Sequence, residues 1–171
     1  SEAIRINPDV DAGTIAQIST GKAENKFGIA YDAAPALFRH AQDLPGVEPV
    51  GLAVHIGSQI TRLEPYRDAF HRVRDLYKAL QAEGLPLQRL DLGGGLGIPY
   101  RDSDAPALPS DYAAMIAEVT QGLGVQVILE PGRVITGNAG VLLSTVLYEK
   151  AAPETDFLII DAGMNDLMRP A

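Results

Sequence analysis

Short apolar runs alternate with longer stretches of helical periodicity along most of this chain. The apolar runs predict buried strands, and the periodic stretches predict amphipathic helices. The predicted strands lie at residues 50–54, 88–92 and 125–129. The predicted helices lie at residues 34–44, 63–83 and 110–121. Strands that alternate with helices pair in parallel through right-handed crossovers, so the pattern predicts an α/β fold.

Polar residues mark where the predicted helices begin and end. Thr61 and Ser110 stand just before helical stretches and are the expected N-caps, and Gly84 is the expected stop of the second helix. A short strand is predicted at residues 3–6. It is followed by residues 9–26, which are polar and contain glycine, and we expect them to form a long functional loop.

The pattern changes after residue 138. Residues 141–148 and 157–161 both predict strands, and the connection between them is too short for a crossover helix, so this pair is predicted to be antiparallel. A predicted strand lies close to each end of the chain, which starts with Ser1 rather than Met. We therefore expect the chain to be part of a longer polypeptide.

Composition narrows the possible partners. The 171 residues are 46% hydrophobic, enough for a core, and the net charge of −8 argues against nucleic acid or an anionic membrane as a partner. The chain has no cysteine, which excludes disulfides and thiolate chemistry from these residues. No apolar run approaches the roughly 20 residues of a membrane span. A cytoplasmic protein is the expectation.

Each central strand is followed by residues that could carry chemistry, at the end where parallel sheets build their sites. The strand at residues 88–92 ends in Gly93, Gly94, Gly95 and Gly97. Backbone N–H groups of successive glycines can converge on an anion such as phosphate, although a plain tight turn explains the same residues. The spacing is not G-x-G-x-x-G, and the residues that follow do not start a helix, so a Rossmann site is not predicted.

The other two strand ends carry polar side chains. His55 could stack on an aromatic ligand and Ser58 could donate to a phosphate, although a core histidine and a capping serine are the simpler interpretation. Glu130 is costly to bury unless it meets a cation or a proton, and Arg133 could bind a carboxylate. A Glu–Arg ion pair at the rim is the alternative. Asp161 has no further ligands at recognisable spacing, so no metal site is predicted.

The three groups complement one another. An anion cradle, a flat imidazole and an acid that can meet a protonated ring nitrogen together suit pyridoxal 5′-phosphate. The sequences HIGSQ at residues 55–59, LDLGGGLG at residues 90–97 and EPGR at residues 130–133 resemble the fold-type III pyridoxal-phosphate-dependent decarboxylases. Further segments are similar to this family, in the same order, at residues 7–10, 19–21, 24–28 and 161–167.

This resemblance implies a fold and a division into domains. Residues 1–138 would form the later strands of a (β/α)8 TIM-type barrel of the alanine racemase-like type, which binds pyridoxal phosphate. Residues 139–171 would begin a β-rich C-terminal domain. The family's Schiff-base lysine matches none of the four lysines in this chain. Ile15 stands where the family usually has histidine.

The resemblance also implies roles for single residues. His55 would stack on the pyridine ring, Ser58 and the backbone of residues 93–95 would bind the phosphate, and Glu130 would pair with the ring nitrogen. Arg133 would approach the phosphate and the substrate carboxylate. The remaining implied site residues are Arg5, Pro131 and Gly132 near the cofactor and Arg169 at the substrate.

The implied activity is the decarboxylation of meso-2,6-diaminopimelate to L-lysine and CO2, with a small amino acid as the substrate and a homodimer as the assembly. This chain alone is expected to be inactive. The alternatives are a decarboxylase of the same fold that acts on ornithine, arginine or carboxynorspermidine, a pyridoxal-phosphate-binding protein without catalysis, and a structural barrel.

Overall fold

A computed structural model describes residues 2–12 and 27–168 of the chain. The chain divides into two units, Ser1–Gly137 and Asn138–Ala171, and the described residues of each unit form a separate β-sheet. No helix within these described ranges has both the length and the apolar composition needed to cross a membrane.

Parallel strands form the sheet of the first unit. The strands are β1 Glu2–Asn7, β2 Ile29–Ala30, β3 Pro49–Ala53, β4 Arg89–Asp91 and β5 Gln126–Ile128. Over the described residues they are arranged in the order β2-β1-β3-β4-β5, and every neighbouring pair is parallel. The predicted α/β class is thereby confirmed. In this part of the chain the sheet is open, with β2 and β5 at its edges.

Helices connect the strands. They are α1 Ala34–Asp43, α2 Glu64–Ala82, α3 Pro109–Thr120 and the single-turn α4 Arg133–Thr136, which follows β5. The first three agree with the predicted helices to within about one residue at each end. The two-residue β2 and the four-residue α4 were not predicted, because elements this short show no periodicity.

The helix α2 covers the sheet with one apolar face. Its buried side chains recur at three- and four-residue spacing, as its sequence predicts, and they are Tyr66, Ala69, Phe70, Val73, Leu76, Tyr77 and Leu80. Burying each large apolar side chain stabilises the fold by about 1.5–3 kcal/mol. This face therefore fixes α2 against the strands whose ends form the candidate site.

The predicted N-caps are wrong. The N-cap residue of α2 is Leu63, and that of α3 is Leu108, neither with a side-chain capping bond. Proline explains the start of α3, since Pro109 is its first residue and holds Leu108 in extended backbone with ψ 149°. Ser110 therefore lies inside the helix, and Thr61 lies two residues before the cap of α2.

The second unit contains an antiparallel pair, as predicted, but its first strand begins at Val146 rather than at residue 141. The strands are β6 Val146–Lys150 and β7 Phe157–Ile160. Beside them, Asp161 Oδ1 accepts a hydrogen bond from the Thr145 N–H at 2.8 Å, and the Asp161 N–H donates to the Thr145 carbonyl at 3.2 Å. Asp161 thus closes the end of the strand pair.

Candidate functional site

A cleft of about 360 Å³ opens at the carboxyl ends of the central strands of the first unit. Parallel pairing brings these ends to one edge of the sheet, which is where α/β folds place their ligands. The cleft is lined by Arg5, Ala53, Val54, His55, Asp91 and Glu130. The sheet therefore brings together three side chains predicted from separate segments of the sequence: an arginine, a histidine and a glutamate.

The glycines of residues 93–95 pack too closely against neighbouring loops for any side chain. A Cβ atom added to them would collide with the carbonyl oxygens of Val54, Glu130 and Gly57, in that order. The first and third of these glycines also have φ of +66° and +95°, in the left-handed region. The glycines are thus required by backbone contacts between three strand ends.

Hydrogen bonds fix the shape of this glycine turn. The Gly93 N–H donates to Asp91 Oδ1 at 2.9 Å, and the Gly93 carbonyl accepts from the Glu130 N–H at 2.8 Å. The Gly94 N–H donates to His55 Nδ1 at 3.3 Å. Asp91 was not predicted as a site residue; a charged side chain between two buried leucines is the signal in the sequence that could have revealed it.

His55 is half-buried in the cleft with its Nδ1 atom as an acceptor. Because Nδ1 accepts a hydrogen bond, the neutral ring carries its proton on Nε2. Burial and, secondly, the Arg5 guanidinium lower the pKa of His55 below its usual value, while Glu130 and Asp91 oppose this shift. The structure thus favours an uncharged, planar imidazole near neutral pH.

Arg5 is held at the end of β1. Its Nη2 atom donates to the His55 carbonyl at 3.3 Å, and its guanidinium carbon lies 5.2 Å from the centre of the Phe27 ring. Arg5 also lines the cleft, so its positive charge lies at the site.

Glu130 and Arg133 do not form the ion pair considered as an alternative. Both residues are described, and no salt bridge joins them. Arg133 instead donates from Nη1 to Gln59 Oε1 at 3.1 Å, and its guanidinium carbon lies 5.9 Å from the centre of the Tyr100 ring. The Glu130 residue is exposed at the cleft. Its carboxylate is therefore available to a ligand.

Gln59 is a residue that the sequence analysis missed. Its Nε2 atom donates to the Ile98 carbonyl at 2.6 Å, and its Oε1 atom accepts from the Ile98 N–H at 3.3 Å and from Arg133. Its backbone has φ of +55°, which is unusual for a residue with a side chain. Gln59 therefore connects its own loop to the loop at Ile98 and to the start of α4.

The other predicted residues have different positions. Ser58 is half-buried next to Gly57, whose carbonyl oxygen faces the glycine turn. Pro131 and Gly132 are exposed and lead into α4. Arg169 lies outside the described residues, as do Ile15 and most of the predicted loop at residues 9–26.

Comparison with known proteins gives one family and many close relatives. The sequence model described as "Pyridoxal-dependent decarboxylase, pyridoxal binding domain" matches residues 2–137. The diaminopimelate decarboxylase of Pseudomonas aeruginosa is 50% identical over 169 residues, which are 99% of this chain and 40% of that protein. The chain thus spans about two-fifths of the length of the curated relatives it matches.

Solved structures agree with the sequence comparison. The diaminopimelate decarboxylase of Helicobacter pylori complexed with L-lysine is 44% identical, with a TM-score of 0.89 over 96% of this chain and 41% of that one. The diaminopimelate decarboxylase of M. jannaschii in co-complex with L-lysine is 39% identical, with a TM-score of 0.86 over 98% of this chain and 40% of that one.

Proposed function

This chain belongs to the pyridoxal-dependent decarboxylases, and we propose that it is part of a diaminopimelate decarboxylase. The proposed reaction releases CO2 from meso-2,6-diaminopimelate and leaves L-lysine. The observation that carries the proposal is the single cleft in which Arg5, His55 and Glu130 meet beside the glycine turn. Relatives of 44–50% identity that carry this enzyme name, one of them bound to L-lysine, support the choice of substrate.

We propose the same division into domains that the sequence predicts. Residues 1–138 would supply later strands of the barrel that binds the cofactor, and residues 139–171 would begin the C-terminal β domain. The match of the family to residues 2–137 and the boundary between the compact units after Gly137 support this division.

The residues of the cleft fit pyridoxal 5′-phosphate, the cofactor of this family. The Gly93 and Gly94 N–H groups are bonded to Asp91 and His55, and the Gly95 N–H has no acceptor among the described residues, so the glycine turn offers a backbone donor to an anion. We propose that residues 93–95 and Ser58 hold the phosphate, that His55 lies against the pyridine ring, and that Glu130 accepts a hydrogen bond from the ring nitrogen. Pro131 and Gly132 lie between Glu130 and Arg133 and would set the positions of these two residues.

The electrostatics of these residues suit the reaction. When bound, pyridoxal phosphate supplies an electron sink for the charge that remains after CO2 leaves. The Glu130 carboxylate stabilises a proton on the pyridine nitrogen, which strengthens this sink. His55 adds a planar surface without a positive charge, because burial and Arg5 keep its pKa low. The carboxylates of the substrate would bind to Arg133 and Arg169.

The test uses the full-length protein, meaning the product of the complete reading frame that contains this chain. The purified protein with pyridoxal phosphate is given meso-2,6-diaminopimelate, and L-lysine and CO2 are measured. Ornithine, arginine and carboxynorspermidine are assayed in parallel. Turnover of one of these instead would assign the protein to the alternative decarboxylases. Cofactor binding without any turnover would indicate a binding protein.

We further propose that the full-length protein acts as a cytoplasmic homodimer, as its resemblance to this family implies. Light scattering coupled to size-exclusion chromatography measures its mass in solution. A monomeric mass for an active protein would overturn the dimer.

A further inference from the structure

We propose that Tyr66 is a positioning residue for the phosphate site: its hydroxyl holds the peptide between Gly94 and Gly95 so that the Gly95 N–H faces the ligand. The inference rests on the proposed phosphate-binding role of residues 93–95. It assigns a function to a buried helix residue that does not line the cleft.

The Tyr66 hydroxyl is fixed in space by packing. The residue belongs to α2 and is completely buried. Its ring contacts Tyr112 edge-on at 4.8 Å between ring centres and Phe70 at 5.6 Å. Its hydroxyl donates to the Gly94 carbonyl at 3.2 Å. Burial raises the pKa of Tyr66 above its usual value, so the donor keeps its proton throughout the physiological range.

The bond to Tyr66 determines the direction of the next N–H group. A trans peptide is planar, and its C=O and N–H point to opposite sides. Because the Gly94 carbonyl points at α2, the Gly95 N–H points away from that helix. The neighbouring groups are already used: the Gly94 N–H donates to His55, and the Gly95 carbonyl accepts from the Ile60 N–H at 3.0 Å. In the described part of the chain, the Gly95 N–H has no acceptor.

This peptide needs a restraint because glycines surround it. Glycine populates both signs of φ with little difference in energy, so a peptide between two glycines can rotate between orientations. Rotation would turn the N–H of Gly95 into the core and the carbonyl of Gly94 toward a negatively charged ligand. The hydroxyl of Tyr66 opposes this rotation, since the rotated peptide would leave a buried donor without a partner.

Among the described residues, no other donor bonds the Gly94 carbonyl. A largely apolar cavity of about 170 Å³ borders Gly93 and Gly94 on this side of the turn. Tyr112 of α3 also borders this cavity, and its hydroxyl is buried without a hydrogen-bond partner. The two tyrosines are thus alike in burial and ring contacts but differ in their bond to the turn, which makes Tyr112 a matched control.

The experiment compares Tyr66→Phe with Tyr112→Phe in the full-length protein. The cofactor-free proteins are titrated by calorimetry with pyridoxal phosphate, with inorganic phosphate and with pyridoxal, which lacks the phosphate. We expect Tyr66→Phe to weaken the binding of pyridoxal phosphate and of inorganic phosphate roughly tenfold and to leave the binding of pyridoxal unchanged. Tyr112→Phe should bind all three ligands like the wild type. Circular dichroism and thermal unfolding establish that both variants are folded.

Two results would overturn the role of Tyr66. One is wild-type affinity of Tyr66→Phe for both phosphate ligands, and the other is an equal loss of affinity for pyridoxal, which would indicate a general structural effect. If Tyr66→Phe unfolds, Tyr66→His and Tyr66→Leu are compared instead, because histidine restores an N–H donor on a smaller ring. Tyr66→His should then bind phosphate more tightly than Tyr66→Leu. Equal phosphate affinities of these two variants would also reject the role. Lysine production is scored separately. If the protein shows the expected pattern of ligand affinities but does not turn over diaminopimelate, the role of Tyr66 stands and only the proposed substrate is wrong.

Discussion

Gly94 is the residue whose lack of a side chain most directly shapes the glycine turn. Its backbone lies against the Glu130 carbonyl, its N–H meets His55, and its own carbonyl meets Tyr66. Unlike the two glycines beside it, it does not have a positive φ. A substitution at this position therefore tests close packing without the added effect of backbone strain.

We expect Gly94→Ala to weaken pyridoxal phosphate binding at least tenfold and to lower the free energy of unfolding by about 1–3 kcal/mol. The added Cβ collides with the Glu130 carbonyl oxygen, so the turn and the carboxylate beside it must separate. Calorimetry and denaturant unfolding of the full-length protein provide the two measurements. Gly140→Ala is the control, since nothing lies within 4 Å of a Cβ there. Normal cofactor affinity in the Gly94→Ala protein would contradict the proposed cradle.

The protonation of His55 provides a second prediction. Its pKa is lowered by burial and by Arg5, so Arg5→Gln should raise the pKa of His55. NMR titration of the imidazole in the cofactor-free full-length protein measures this, with His55→Asn to assign the signal. Arg62→Gln is the control, since Arg62 is exposed and pairs with Glu64. An unchanged His55 pKa in Arg5→Gln would show that Arg5 does not act on the ring.

The lowered pKa of His55 also determines the direction in which the free energy of unfolding changes with pH. A folded-state pKa below the unfolded value means that the unfolded chain binds more protons between the two values. The His55 contribution is therefore fully present above the unfolded pKa, about 6.5, and is lost as the pH falls through the folded value. The unfolding free energy of the wild type should accordingly fall more steeply on acidification than that of His55→Asn, whose side chain does not titrate.

Gln59 connects separate segments of the chain, one of which carries Arg133. We expect Gln59→Leu to lower kcat/KM for diaminopimelate roughly tenfold, mainly through KM, because Arg133 loses the acceptor that orients it. Gln59→Glu keeps an acceptor for Arg133 but loses the donor to the Ile98 carbonyl, and should therefore recover only part of this loss. Steady-state kinetics of the full-length protein measure both, with the exposed Gln121→Leu as control. A lower kcat with an unchanged KM would contradict the orientation of a substrate-binding arginine.

The helix α2 is held both by buried apolar packing and by an exposed salt bridge, and the two kinds of contact can be compared by mutation. Its Phe70 is buried, whereas Arg67 pairs with Glu118 of α3 in an exposed salt bridge of 2.9 Å. Phe70→Ala should lower the free energy of unfolding by about 3–5 kcal/mol, and Glu118→Ala by less than about 1 kcal/mol. Denaturant unfolding of the full-length protein compares the two. Similar losses would mean that the salt bridge contributes more than exposed pairs usually do.

The sequence predicted elements better than it predicted their contacts. The alternation of apolar runs with amphipathic stretches predicts that the strands pair in parallel, because each crossover must bury its helix on the sheet. The N-caps at Thr61 and Ser110 were wrong, since Pro109 sets the start of its helix more strongly than a hydroxyl does. Gln59 was missed because its hydrogen bonds join segments that are distant in sequence, and no local pattern encodes such a bond. Asp91 was missed although its bond to the Gly93 N–H is local, because the polar residue within the apolar run was not interpreted.

At the scale of the whole molecule, the described residues of each unit leave a strand edge or apolar side chains without a partner within that unit. The described sheet ends at β5, whose outer edge is unpaired within them. Within the second unit, apolar side chains of the strand pair are not covered by other residues of that unit, among them Leu147, Tyr148 and Leu158. Open strand edges and exposed apolar side chains are sites of association. A protein of the length of the matched relatives would have further chain to cover them.

We therefore expect residues 1–171, produced alone, to bind a hydrophobic dye, to self-associate and to form no L-lysine from diaminopimelate. The full-length protein should form lysine and bind little dye, because further segments would cover the strand edges and supply the Schiff-base lysine that the family uses. Dye fluorescence, light scattering and lysine assays at equal concentrations compare the two. Lysine formation by residues 1–171 alone would contradict this expectation, since one of the lysines in this chain would then have to serve the cofactor.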